Sequence, residues 1–171
     1  MSSDNYNILA DPSMKEIFDS FIIETREIFD ALDVDLIELE SQPDNKELLN
    51  QIFRAFHTVK GTSGFLGLEK MMAITHKGED ILNKLRKDEA KLNDRIMNAV
   101  LAGFDAMKGL LRVIETKLNE DFDVSHAQEL LENALTPEDE ITSIPIDSIP
   151  NLNSEAALNE TAEMQLPDLG D

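Results

Sequence analysis

Met14-Lys15-Glu16-Ile17-Phe18-Asp19-Ser20-Phe21-Ile22-Ile23-Glu24-Thr25-Arg26-Glu27-Ile28-Phe29-Asp30-Ala31-Leu32 is the stretch that decides the fold. Met14, Ile17, Phe18, Phe21, Ile22, Ile28, Phe29 and Leu32 recur at three- and four-residue spacing, and Leu36 and Leu39 continue the series. That period predicts one long amphipathic helix. Asp11 before Pro12 reads as an N-cap with proline at the first helical position. Ser41-Gln42-Pro43-Asp44 breaks the pattern.

The same period repeats along the chain. A second helix is predicted after Asp44, with Leu48, Leu49, Ile52, Phe56 and Val59 on one stripe, ended by Gly64 and Gly67. A third runs from Leu68 to Arg86, with Met71, Met72, Thr75, Leu82 and Leu85 inward. Asn93 or Asp94 opens a fourth, carrying Ile96, Val100, Leu101, Phe104, Met107, Leu111, Ile114 and Leu118. A short fifth, Ser125 to Ala134, offers Leu130 and Leu131. Short connections make neighbouring helices antiparallel. The expected fold is all-α: an up-down four-helix bundle with a short fifth helix, its methionines belonging to the core.

Composition narrows the function. The chain has 171 residues, enough for about one domain. It has no Cys, which excludes disulfides, thiolate metal sites and a thiol nucleophile. A net charge of −20 argues against nucleic-acid binding, since no basic stripe is available to meet a phosphate backbone. No apolar run approaches the roughly 20 residues of a membrane span, and the start of the chain lacks a signal-peptide pattern, so the expected location is the cytoplasm.

The charge is unevenly spread. Lys117 is the last Lys or Arg, and 14 acidic residues follow it. Pro137, Pro145, Pro150 and Pro167 lie in the same part. One-signed charge with scattered proline describes a segment that buries too little surface to offset its ordering entropy. The expected division is a folded domain over 11–135 and a disordered acidic tail or linker over 136–171. Ile144-Pro145-Ile146 and Ile149-Pro150 form only a weak docking pattern within that tail.

Enzyme signatures are largely missing. There is neither a G-x-x-x-x-G-K-[ST] nor a G-x-G-x-x-G cradle, so no nucleotide site is expected in this chain. Di-metal bundles carry Glu-x-x-His pairs on two helices. Here His76-x-x-Glu79 is in reverse order and occurs once, so no metal site is expected.

One histidine has distinctive company. On a wheel of about 100° per residue, His57 falls about 120° from the centre of the second helix's apolar stripe, on the exposed side. Lys60, Gly61 and Gly64 share its face. A glycine inside a helix costs about 1 kcal/mol relative to Ala. Two beside one exposed histidine suggest that something approaches the backbone closely there. A neutral imidazole has a free lone pair and is a good nucleophile. A carboxylate accepting from the other ring nitrogen would fix the tautomer, and a nearby ammonium would offset an incoming phosphoryl charge. Glu79 and His76 occupy one shoulder of the third helix, which an antiparallel neighbour could bring against His57. On periodicity alone an ordinary surface histidine remains the plainer reading. His126 has no partner in view.

The segment Phe53-Arg54-Ala55-Phe56-His57-Thr58-Val59-Lys60-Gly61 resembles the H-[ST]-[IVL]-K-G signature of histidine phosphotransfer (HPt) domains. It looks most like that of the N-terminal phosphoacceptor domain of chemotaxis histidine kinases, the CheA family. Asn50-Gln51-Ile52 resembles the approach to that motif. His76 and Glu79, 19 and 22 positions after His57, match a second element of the family. The resemblance spans roughly 14–134 and includes the five-helix plan. It implies that His57 is the phosphoacceptor, Lys60 an electrostatic neighbour and Glu79 the partner of the His57 ring, with His76 in the same network. Gly61 and Gly64 match positions the family keeps small. It implies no cofactor in this chain. A separate ATP-binding kinase domain, using ATP and Mg, would phosphorylate His57, and the receiver domain of a response regulator would take the phosphoryl group onto an aspartate. The chain would be a kinase fragment, with the acidic tail as a linker, rather than a free-standing phosphorelay shuttle. A non-catalytic helical interaction module is the reading from another class.

Overall fold

The structure, a computed structural model, describes residues 11–137. Positions 138–171 of the expected acidic tail lie outside the described residues. The helices are α1 (Lys15–Ser41), α2 (Lys46–Phe65), α3 (Glu69–Arg86), α4 (Asp94–Lys117) and α5 (Ser125–Asn133), and no strand occurs among the described residues.

The helix boundaries follow from capping. Asp11 accepts from Ser13 N–H at 2.8 Å, but the element it opens is a 3-10 turn, Pro12–Met14, that leads into α1. The α2 cap is Asn45, one residue beyond Asp44, accepting from Leu48 N–H at 3.1 Å. Asn93 rather than Asp94 caps α4, accepting from Ile96 N–H at 2.9 Å. These side chains satisfy donors that the first helical turn leaves unpaired. Gly64 does not end α2; the stop is Gly67, at φ 69°. Gly67 N–H donates to Gly64 C=O and Leu68 N–H to Ser63 C=O, the paired bonds of a Schellman cap.

α1 packs on α2 and α4, and α3 packs on the same two, so four helices close a ring. α5 lies against α3 and α4. Phe56, Phe104, Leu32, Leu36, Ile52, Met71, Ile81 and Leu82 fill the centre. Phe29 meets Phe104 edge to face at 5.4 Å, the arrangement the ring quadrupoles favour.

The expected core needs two corrections. Met72 is 40% exposed and Ile17 is 44% exposed, although both were expected inward. Met72 follows the buried Met71, and Ile17 precedes the buried Phe18. A helix turns about 100° per residue, and the stripes centred to bury Met71 and Phe18 carry Met72 and Ile17 past the edge of the buried face. Ile74, Gly78 and Ile81 complete the buried face of α3 instead. Ile28, Leu101, Leu118 and Leu130 are only partly buried, at the edges of their stripes.

Candidate functional site

α2 and α3 are joined by a three-residue connection and run antiparallel. Lys46 Nζ, in the first turn of α2, donates to the carbonyls of Leu85 and Arg86 at the end of α3 at 3.2 and 3.3 Å. That contact fixes the register, and the middle of α3 then lies beside the second half of α2. Gly78 sets how close the two come. A Cβ placed on it would lie 2.4 Å from Phe56 Cε1, closer than atoms can approach. The bare backbone of α3 therefore rests on the Phe56 ring, with Glu79 the next residue along.

This approach delivers Glu79 to α2. Glu79 Oε2 lies 3.2 Å from His57 Nδ1 and 2.8 Å from Lys60 Nζ. Both contacts fall on one oxygen, Oε2, which is itself buried. The Glu79 side chain is 13% exposed, whereas that of His57 is 63% exposed. The cluster thus has a covered carboxylate beneath an open imidazole. Burial alone would raise the Glu79 carboxyl, but the contacts with Lys60 and His57 outweigh it and hold the group below its ordinary value. A carboxylate at Nδ1 favours the proton on that nitrogen, which leaves the lone pair on Nε2.

The remaining candidates fall in different places. A Cβ on Gly61 would meet nothing within 4 Å, so the backbone one turn beyond His57 is open. Gly64 is also at the surface, but a Cβ there would come within 3.3 Å of Met72 Sδ, so its small size also serves packing between α2 and α3. Next to Gly61 is an apolar groove of about 250 Å³, lined by Ile17, Phe21, Gly61, Thr62, Phe65 and Leu66 among others. His76 is not drawn into the His57–Glu79 contact. Its side chain is 62% exposed and its ion-pair partner is Asp80, at 3.7 Å. The helix puts Asp80 one turn beyond His76 on the outer face, while Glu79 turns inward to Lys60. His126 is exposed in the first turn of α5.

Two neighbours of His57 were not singled out from the sequence as site residues. The Phe53 ring stacks on the imidazole, with centroids 6.0 Å apart and planes 16° from parallel. The Arg86 guanidinium lies over the same Phe53 ring, 3.8 Å from its centroid. Among the described residues no group of three or more His, Asp or Glu side chains could hold a metal, and no helix is long and apolar enough to cross a membrane.

Comparison with known proteins places this geometry. The family model described as the Hpt domain matches residues 16–144. The chain is 40% identical over 148 residues to the sensor histidine kinase CheAY of Helicobacter pylori, covering 86% of this chain and 18% of that protein. It is 32% identical over 112 residues to the chemotaxis protein CheA of Halobacterium salinarum, covering 66% of this chain and 17% of that one. The chain thus spans less than a fifth of the length of these curated relatives. A solution structure of the histidine phosphotransfer domain of CheA superposes with a TM-score of 0.64 at 31% identity, over 70% of this chain and 92% of that one. The CheA phosphotransferase domain from Thermotoga maritima gives 0.56 at 36% identity, over 59% and 96%.

Proposed function

The chain belongs to the Hpt domain family and is homologous to CheA phosphotransfer domains, and on that premise we propose that His57 is its phosphoacceptor. The observation that carries the assignment is the covered Glu79 carboxylate at Nδ1 of an open imidazole. In the proposed step the Nε2 lone pair attacks the γ-phosphorus of ATP held by a separate kinase domain. The N–P bond forms as the bond to the bridging oxygen breaks, and ADP leaves with that electron pair. Nδ1 keeps its proton, and Glu79 offsets the positive charge that develops on the ring. Lys60 keeps Glu79 ionised and adds a cation near the arriving phosphoryl group. In the second step an aspartate oxygen of a receiver domain attacks the phosphorus. The N–P bond breaks and its electrons return to Nε2, restoring the neutral imidazole.

In this reading the chain needs no cofactor of its own, and ATP and Mg serve the partner. The open backbone at Gly61 and the groove beside it give both partners room to approach. The proposed setting is the cytoplasm, where ATP is available, and the proposed pathway is chemotaxis signalling.

The test is incubation of the chain with a chemotaxis-type kinase core and γ-labelled ATP. Label should appear on the chain, survive base and be lost in acid, as a phosphoramidate is, and be absent from His57→Gln. Label that persists in that variant, or maps to His76 or His126, would overturn the assignment.

A further inference from the structure

An exposed side chain ordinarily samples several rotamers, and one contact with Glu79 leaves the His57 ring free to swing about that edge. The structure supplies a second restraint on the face of the ring. A helical side chain leans toward the helix N-terminus, so residue 57 naturally covers residue 53, one turn earlier. Here residue 53 is Phe, and the two rings lie nearly parallel. Phe53 is itself only partly buried, against the edge of the core. What holds it from α3 is Arg86, two turns beyond Glu79 on the antiparallel helix. The guanidinium sits over the Phe53 ring and is itself held at both helices: Nε donates to Asn83 Oδ1 at 2.9 Å on α3, and Nη1 to Asn50 Oδ1 at 3.4 Å on α2. A planar guanidinium suits this double task, because it stacks on a ring face while donating from its edge.

We propose that Phe53, braced by Arg86, is a positioning residue for His57. Phe53 fixes the face of the imidazole, Glu79 fixes its Nδ1 edge, and the two together aim Nε2 along one line of approach. This rests on the phosphoacceptor reading, in which the direction of Nε2 matters. In-line transfer to phosphorus needs the nucleophile held in a near-attack geometry, so a ring free to swing should lose turnover rather than partner binding.

The test has a spectroscopic arm and a kinetic arm. In the wild-type chain, NMR should show NOE cross-peaks between the Phe53 and His57 ring protons and a single His57 χ1 rotamer from three-bond couplings. Phe53→Leu should abolish that single rotamer. With a chemotaxis-type kinase core it should lower kcat for His57 phosphorylation by about two- to tenfold with KM unchanged, the scale of one aromatic contact. Phe53→Tyr, which keeps the ring, should restore both. Arg86→Met should lose part of each, and it carries the test if Phe53→Leu unfolds. Absence of the inter-ring NOEs in the wild type would overturn the proposal. So would a Phe53→Leu protein with one His57 rotamer and unchanged kcat, or a Phe53→Tyr protein as slow as Phe53→Leu. A wild-type chain that shows the NOEs and one rotamer but takes no label would instead remove the phosphoacceptor reading.

Discussion

Lys60 Nζ stands 2.8 Å from Glu79 Oε2, nearer to that oxygen than His57 Nδ1, which is 3.2 Å away. The carboxylate is therefore anchored first to the lysine, and the histidine rests on an already ionised group. Removing either partner should have distinct consequences. Glu79→Gln takes away the charge that offsets the developing imidazolium, and phosphorylation should slow by about 10- to 100-fold, as when a partner of a ligating histidine is lost. Lys60→Ala should slow it less, because a partly exposed ion pair contributes about 1 kcal/mol or below. Burial then acts on Glu79 with one counterion fewer, so its carboxyl should titrate higher than in the wild type, measured by carbon NMR of the side chain. Equal rates for wild type and Glu79→Gln would remove Glu79 from the site. His76→Ala, which loses only the contact with Asp80, should rank with Lys60→Ala or below it.

The same carboxylate makes stability depend on pH. In the fold Glu79 titrates below its ordinary value of 4.5. Its contribution is therefore present in full above the unfolded value, and it is lost as pH falls through the lower, folded one. Urea melts of wild type and Glu79→Gln should differ at pH 6–7, and the gap should shrink steadily once the pH drops below about 4.5. A gap unchanged down to pH 3 would show that Glu79 stabilises the fold by something other than its charge.

Two glycines should respond in opposite ways to the same methyl group. Gly78→Ala sets a Cβ against the Phe56 ring, and one of the two helices must give way. The expected cost is about 1–3 kcal/mol, accompanied by slower phosphorylation as Glu79 moves off His57. At Gly61 the space is open, so Gly61→Ala should gain up to about 1 kcal/mol from helix propensity. That methyl would nonetheless stand where a donor must approach, so this variant should be more stable but slower. Denaturant melts paired with labelling rates separate the two cases. A Gly61→Ala protein as fast as wild type would show that no partner comes near that turn.

Truncation after Thr136 should leave the thermal midpoint of the domain unchanged. The removed part has no Lys or Arg to balance its acids and holds four of the chain's six prolines. A fall of several degrees on truncation would move the domain boundary past the point that charge and composition indicate.

The helices and the outward turn of His57 were legible because both depend on spacing along one segment. An apolar stripe at Leu49, Ile52, Phe56 and Val59 leaves His57 only one direction to point. The same reasoning misplaced Ile17 and Met72, since a wheel assigns a face but not the edge where burial stops. The role of Gly78 was not legible, because it depends on the distance between two helix axes and not on any period within one. Phe53 stood in the motif unread for a related reason: its ring acts on His57 locally, but Arg86 reaches it from another helix. His76 was grouped with Glu79 by spacing, and only the tertiary contacts separate an inward carboxylate from an outward histidine.

That one carboxylate oxygen serves both Lys60 and His57 has a consequence for the charged product. With a neutral ring, the lysine and the glutamate cancel, and the cluster is electrically silent. A phosphoryl group on His57 would add close to two negative charges beside Glu79, whose ion-pair partner Lys60 it would have to share. The phosphate and Glu79 would compete for Lys60, and departure of the phosphate restores the balanced pair. On the proposed assignment, the site is built as a way-station and not as a sink.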